Sequence, residues 1–546
     1  MSQSAGKTQN ERRLVIAGAS LGTLFEWFDF FLYGALAGEI ARRFFTGVDE
    51  TTAFVLALAA FGAGFAARPL GALLFGRFGD VMGRKNTFLV TIALMGGATF
   101  LIGLLPDAHA IGVAAPILLV ALRIVQGLAL GGEFGGAAIY VAEHADPDRR
   151  GLDTSWIAAM ASGGLILALG IIIACRLALS PEAFAEWGWR LPFLLSIVML
   201  AISLWVRSRL GESPVFARMK AEGAISKAPY VETFGQWLNL KRMLAVFGFI
   251  AGGTCVFYTA LFYTLFFLER MLKLDGLTAN LLVAAALVLT MPGYLFLGWL
   301  SDRIGRKTIL ALGSAVAALI IFPAFHWLTE AANPALARAQ REAPVVVAAN
   351  PALCSVQFDP LNARRFDENG CDLARLFLAR AGVSYTRAET SSAIAEVRIG
   401  GQIVQAPNLA GHSEAARAAE TQAFQQRARA ALDAAGYPAA ADRTELNAPM
   451  VVAIVALLAF IAAMTYAPVS ALMVELFPAR IRYTSLSAPY HFATGWIGGF
   501  LPATAFAIVA ATGDIYAGLW YPVVFATIGA TVALVFLPET RGRDIN

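Results

Sequence analysis

The stretch GRFGDVMGRK (76–85) recurs without a gap as GWLSDRIGRK (298–307), at an offset of 222 (298 minus 76). Each copy follows a long apolar run. One basic turn of this kind is what any membrane protein carries on its positively charged side. Two copies at matching places mean a chain built from two related halves. Two weaker pairs extend the register. Glu143 in YVAEHADPDRRG matches Glu475 in LMVELFPARIR at an offset of 332 (475 minus 143). Glu212 in LGESP matches Glu539 in LPETR at 327 (539 minus 212). The offset therefore grows by 105 (327 minus 222) to 110 (332 minus 222) between the first pair and the later ones, so the second half carries an insertion of that length.

Around these landmarks the composition is that of an integral membrane protein. Hydrophobic residues make up 58% of 546 and charged residues 15%, against about 45–50% and about 25% in soluble domains. Twelve apolar runs lie near 14–37, 53–75, 87–105, 116–140, 154–178, 190–207, 243–268, 277–299, 308–328, 449–473, 484–509 and 516–537. A hydrocarbon core of about 30 Å takes about 20 helical residues to cross. Six spans followed by six is a duplicated transporter plan. Lys and Arg concentrate in alternate short connections, about 22 against about 6. Cytoplasmic loops carry that excess, so both termini are expected inside. The first apolar run has no small-residue cleavage site and reads as span 1 rather than a signal peptide. The net charge is +4 with no Lys/Arg-rich run, which gives no sign of a nucleic-acid partner. Cys175, Cys255, Cys354 and Cys371 are scattered without a CxxC pair, so neither a metal site nor a cofactor is expected.

The insertion falls between spans 9 and 10 and therefore on the external, periplasmic side. APVVVAA, CSVQF and AEVRIGGQIV read as short strands. CDLARLFLARAG and SEAARAAETQAFQQRARAALDAAG read as amphipathic helices closed by glycine. A small α/β domain is expected there, with Cys354 and Cys371 either bonded in an oxidising compartment or left as two thiols. The predicted domains are a first six-helix bundle (1–208), a cytoplasmic linker (209–242), a second bundle (243–328 with 448–546) and the insertion (329–447). The fold class is an all-α membrane protein of twelve helices in two bundles, plus this α/β insertion.

Charge inside the spans points to function. A charged residue at the centre of a spanning helix costs about 2.5–3.5 kcal/mol on insertion scales, and such residues mark ion and substrate paths. EWFDFFLYG (26–34) places Glu26 and Asp29 on one face of span 1. Span 2 holds Arg68; span 4 holds Arg123 and Gln126 on one stripe, with Glu133 further on. At a helical rise of about 1.5 Å per residue, Asp29 and Arg123 share an outer level, and Arg68 and Glu133 share an inner one. Two ion pairs at matching depth are expected, either as static ties between helices or, for Asp29 with Arg123, as a proton-coupling pair. If Asp29 faces Arg123 in one state and leaves it in another, its proton affinity changes between states. An anion that binds Arg123 does the same. The second half offers Tyr258, Tyr263, Tyr466, Tyr490, His491 and Trp496 in place of central charges. Rings with polar tips line cavities or serve as packing, and Tyr258, Tyr490 and His491 are taken as substrate candidates beside Arg123, Gln126 and Arg68. TGWIGGFLP (494–502) suits close packing or a bending gate.

The two basic loops resemble the signature of the major facilitator superfamily. EWFDFFLYG, RPLGALLFGRFGDVMGRK (68–85), RIVQGLALGGEFGGAAIYVAEHA (123–145) and WGWRLPF (187–193) together resemble its metabolite:proton symporter family, over both halves and excluding only the insertion. The resemblance implies the major facilitator fold, two six-helix bundles around a central cavity working by alternating access. It implies that Gly76, Asp80, Gly83 and Arg84, with Asp302, Gly305 and Arg306, hold gates rather than substrate. Val81 stands where a basic residue is usual, so the first loop is expected to latch less firmly. Family members are bacterial inner-membrane proteins that import citrate, 2-oxoglutarate, other dicarboxylates, shikimate, aromatic acids, proline or betaine, driven by protons. A small organic anion is the leading expectation, favoured by Arg68 and Arg123. A zwitterion is the alternative. An efflux antiporter is less favoured, because span 5 has glycines without the glycine–proline motif of drug antiporters. The chain ends nine residues after Leu537, without the long coiled coil of the osmosensing member. The insertion is atypical of the family, and it caps the cavity, binds a periplasmic partner or decorates the fold.

Overall fold

The computed structural model describes residues 9–48, 50–209, 211–355 and 368–545, without the side chains of 9–14, 50–52, 54, 55 and 84. Twelve of its helices are long and apolar enough to cross a membrane. They are span 1 (Val15–Ala35), span 2 (Leu56–Val81), span 3 (Lys85–Leu104), span 4 (Ala114–His144), span 5 (Pro147–Ala178) and span 6 (Arg190–Ser208), then span 7 (Trp237–Met271), span 8 (Gly276–Ile304), span 9 (Arg306–Ala332), span 10 (Ala448–Leu476), span 11 (Ala479–Thr512) and span 12 (Ala517–Val535). Every expected run is one of these helices.

The duplication is visible in the packing. Span 2 lies on span 4 and span 3 on span 6; span 8 lies on span 10 and span 9 on span 12. The halves meet along two seams, span 5 against span 8 and span 2 against span 11. The repeat exchanges one seam for the other. Helices this close need bare backbone. A Cβ on Gly127 would strike the Gly64 carbonyl, and one on Gly131 the Arg68 carbonyl, so span 4 presses glycine against span 2. Gly298 and Gly151 meet in the same way across the span 5–span 8 seam. Spans 7 and 11 widen into π-helical turns over Thr259–Tyr263, Phe267–Met271 and Ala493–Gly498. Such turns re-aim side chains locally.

The insertion holds a four-stranded sheet, β1 (Val345–Ala349), β2 (Tyr385–Glu389), β3 (Ala395–Ile399) and β4 (Gln402–Ala406), in the order β2-β1-β3-β4. The helix Gly370–Arg380 crosses from β1 to its parallel neighbour β2. The expected run AEVRIGGQIV is a hairpin of β3 and β4, turned by Gly400 and Gly401 with positive φ of 50° and 88°. A second helix, Glu414–Ala434, packs on these strands. Most of CSVQF lies outside the described residues. β2 was not expected: YTRAE exposes most of its side chains and shows no alternation. The sulfurs of Cys354 and Cys371 are bonded, with Cα atoms 5.4 Å apart.

The insertion is fastened to the second half. Tyr385 N donates to Gly513 O (2.8 Å), Asn333 Nδ2 to Leu272 O (2.9 Å), Ala441 N to Lys273 O (3.1 Å) and Lys273 Nζ to Pro438 O (2.8 Å). Burial, with the Arg429 guanidinium second, pushes the Lys273 ammonium down to about 8.

Candidate functional site

The basic-loop face is closed by a latch with two matching halves. Gly83 and Gly305 carry the same left-handed backbone, φ 106° and 102°, which only glycine adopts cheaply. That turn leaves each loop's aspartate facing the first turn of a helix in the other half. Asp80 accepts from Tyr483 N (3.1 Å), Thr484 N (2.9 Å) and Thr484 Oγ1 (2.7 Å) at the start of span 11. Asp302 accepts from Gly151 N and Leu152 N (both 2.8 Å) in span 5, and from Arg306 Nη1 (2.6 Å). Carboxylates suit helix N-termini, where amides are unpaired and the dipole is positive. Gly76 lets span 2 close on span 11, since a Cβ there would sit 3.1 Å from Thr484 Cα. Asp302 thus takes a bond from the charged Arg306, while the Tyr483 and Thr484 groups that donate to Asp80 are neutral; Val81 is exposed. The Arg84 side chain lies outside the described residues.

Sequence reasoning missed the outer ring of this latch. Arg482 pairs with Glu143 (2.7 Å), and Arg150 with Glu475 (2.9 Å), each across the halves. Arg306 reaches the same Glu475 (3.3 Å). Glu539 accepts from Arg306 N (3.0 Å) and Lys307 N (3.1 Å), and Glu212 from Lys85 N (3.4 Å). The signal was present: Arg150 and Arg482 are related by the same offset of 332 (482 minus 150) as Glu143 and Glu475. Asp302→Asn keeps one acceptor and turns an amide against the span 5 amides. Bonds to a charged group contribute about 1.5–3 kcal/mol each, so the populations should move at least tenfold toward the state open on this face. Spin-label distances between the halves report it, and an unchanged distribution would refute the latch.

In the interior the structure corrects both expected ion pairs. Asp29 and Arg123 do not pair. Arg123 Nη1 donates to Gln126 Oε1 (2.6 Å), and Gln126 Nε2 to Thr99 Oγ1 (2.7 Å). The guanidinium is wrapped by the rings of Tyr33, Phe30 and Phe61 at 4.5, 4.6 and 5.1 Å. Asp29 lies beside Thr99 at the other end of this relay. Its Oδ1 has no hydrogen-bond partner among the described residues. Arg68 does not pair with Glu133 either. Glu133 is taken by Arg207 of span 6 and by Thr91 Oγ1 (3.0 Å), with Glu26 close by. Both Glu26 oxygens lack a hydrogen-bond partner among the described residues.

Arg68 instead faces the second half. Its Nη1 donates to Tyr258 Oη (3.2 Å), and its guanidinium lies 5.4 to 5.9 Å from the rings of Phe65, Trp27 and Phe30. It acts electrostatically on Tyr490 and His491. Tyr490 stacks on Phe134 of span 4, centroids 4.0 Å apart and planes 4° apart. Tyr466 bonds Thr254 (2.8 Å) beside them. Tyr263 and Trp496 lie elsewhere, Tyr263 among Phe267, Phe325 and Phe506 and Trp496 half-exposed on span 11. Arg68 Nε and Nη2, Tyr490 Oη and both His491 nitrogens have no partner among the described residues. Buried polar groups almost always have one. Arg68, Arg123, Tyr490 and His491 are each 0% exposed. On the side opposite the latch, Phe262 of span 7 closes on Phe31 and Phe61 at 4.7 and 6.0 Å. The site is therefore occluded.

Comparison with known proteins agrees with this architecture. The Major Facilitator Superfamily profile matches residues 19–340, and the Sugar (and other) transporter profile matches 434–546, on either side of the insertion's sheet. The chain is 37% identical over 322 residues to the shikimate transporter of Escherichia coli, covering 57% of this chain and 72% of that one. It is 35% identical over 328 residues to the proline/betaine transporter of Salmonella typhimurium, covering 57% and 64%. The solved structure of the proton:xylose symporter XylE superposes with a TM-score of 0.63 at 15% identity, over 99% of this chain and 98% of that one. With its duplicated latch, its twelve spans and these relatives, the chain belongs to the major facilitator superfamily, in the metabolite:proton symporter family, and is a multi-pass transporter rather than an enzyme.

Proposed function

We propose that the protein imports a small organic anion together with protons by alternating access, across a bacterial inner membrane, with both termini in the cytoplasm. The single observation behind the anion is Arg68. A buried guanidinium without a carboxylate partner is costly; Arg68 reaches the second half through Nη1, and its Nε and Nη2 have no hydrogen-bond partner among the described residues. A substrate carboxylate supplies the missing charge and both acceptors. The working parts are the bundles 1–208 and 243–328 with 448–546, the linker 209–242, and the insertion 329–447 on the periplasmic side, where an oxidising compartment suits the Cys354–Cys371 bond. Proton coupling is assigned to span 1, through Glu26 and through Asp29 with its relay to Arg123. Tyr258, Tyr490 and His491 complete the substrate shell.

A zwitterion is the second reading, favoured by the proline/betaine relative and by the rings of Trp27, Phe30 and Phe65. Aromatic cages bind quaternary ammonium groups. Here the cage already holds Arg68, which favours the anion. Purified protein in liposomes, given an inward proton gradient, separates the two. Citrate, 2-oxoglutarate, succinate, shikimate or benzoate should accumulate and collapse with a protonophore. Accumulation of proline or betaine alone would reverse the assignment.

A further inference from the structure

We infer that the insertion is a clamp on the outer end of span 7, and that Lys273 and Asn333 are positioning residues for the gate ring Phe262. This role does not depend on which solute is carried. Span 7 is α-helical from Trp237 to Tyr258 and packs there along span 12. Beyond Tyr258 it turns π-helical twice, over Thr259–Tyr263 and Phe267–Met271. Helices kink at π turns, so this outer part can bend unless its end is held. It also carries Phe262, whose contacts with Phe31 and Phe61 of the first half close the cavity opposite the latch.

The insertion holds that end residue by residue. Met271 O lies against Gly382, where a Cβ would sit 2.8 Å away. Leu272 O accepts from Asn333 Nδ2 (2.9 Å), and Asn333 is 1% exposed. Lys273 O accepts from Ala441 N (3.1 Å), while Lys273 Nζ donates to Pro438 O (2.8 Å). Asp275 pairs with Arg443 (2.9 Å). Among the described residues other than glycine, Lys273 alone has a left-handed backbone, φ 61°. Such a conformation persists only where the surroundings impose it, and here the carbonyl and the ammonium of Lys273 are both bonded to the insertion. The insertion is anchored in turn between spans 11 and 12, where Tyr385 N donates to Gly513 O (2.8 Å) and Ile515 N to Ser384 Oγ (3.2 Å). The outer end of span 7 is thereby tied to the far side of its own bundle. Phe262 then moves with the second half as a body, and the gate opens when the halves part and not when span 7 bends alone.

The test is hydrogen exchange on the intact, purified protein, read over residues 259–274, beside accumulation of the panel acids in liposomes. Lys273→Met removes the bond to Pro438 O. Asn333→Asp keeps the oxygen that caps the helix Pro334–Glu342 and loses the amide that holds Leu272 O. Together they should speed exchange in 259–274 at least about tenfold, the effect of two lost bonds on a local opening. Spans 9, 10 and 12 should keep their protection, which reports that the chain is folded. Lys273→Met alone should loosen the same segment less, and Lys273→Arg, which keeps a donor, should restore it. With the gate loosened, the accumulated level should fall while the affinity of the central site stays unchanged. Unaltered exchange in 259–274 overturns the clamp. Faster exchange with full accumulation overturns the positioning of Phe262. If the unmodified protein accumulates none of the panel, the proposed function fails, and the exchange result still decides the clamp.

Discussion

Arg68→Gln is expected to weaken substrate binding by at least about 30-fold and to cut uptake by a similar factor at substrate levels well below saturation. Losing one partner of a buried, hydrogen-bonded charge pair costs about 2–5 kcal/mol, and about 1.4 kcal/mol is tenfold. Arg123 also keeps Nε and Nη2 without a hydrogen-bond partner among the described residues, so Arg68→Gln decides which of the two guanidiniums holds the substrate. Arg123 is tied to Gln126 and enclosed by rings. His491 sits edge-on to Tyr490 with no partner for either nitrogen among the described residues. Arg68→Lys keeps the charge but loses the fork that meets two carboxylate oxygens, so it should fall between. Isothermal titration on purified protein reads the loss without depending on turnover. Unchanged affinity in Arg68→Gln would remove Arg68 from the substrate site and with it the argument for an anion.

The duplicated loops were legible in the sequence because two copies at one offset cannot be a local accident, and their geometry follows from glycine. The interior pairs were not legible. Counting the helical rise along a span gives depth but no direction around the helix. Glu133 stands ten residues beyond Arg123, which at about 3.6 residues per turn leaves it about 80° around span 4. It therefore looks toward spans 3 and 6, where Thr91 and Arg207 wait, and not toward Arg68. Arg207 escaped notice because an arginine at the end of a span reads as an ordinary positive-inside residue. In the structure it is 3% exposed and folded inward into space left open by Gly22. The sheet of the insertion was half legible. The β3–β4 run declared itself by alternation around two glycines, while β2, docked by its backbone on Gly513, carries no such pattern.

Glu26→Gln should abolish accumulation against a gradient while leaving exchange of labelled for unlabelled substrate largely intact. Glu26, Glu133 and Arg207 are at most 3% exposed, and they bring two carboxyl groups to one guanidinium. Taking an unpaired charge out of water costs several kcal/mol. The cluster is balanced when it holds one proton, and it parts with that proton cheaply only when water reaches it. A cycle that opens the cluster to one side and then the other therefore moves a proton with each turn, at a place separate from Arg68. Gln in place of Glu26 fixes the balanced state, so the carrier can still shuttle loaded with substrate but no longer feels the proton gradient. Asp29→Asn probes the other carboxyl of span 1, beside Thr99, and should give the same split between accumulation and exchange. Arg207→Gln is different in kind. It strands Glu133 without its partner, and breaking such a buried pair costs about 3–5 kcal/mol, so it should lower the melting temperature of the purified protein. Proton-driven accumulation by Glu26→Gln at the unmodified level would show that the coupled proton travels elsewhere. Loss of exchange along with accumulation would show that Glu26 holds the cavity together and does not gate the proton.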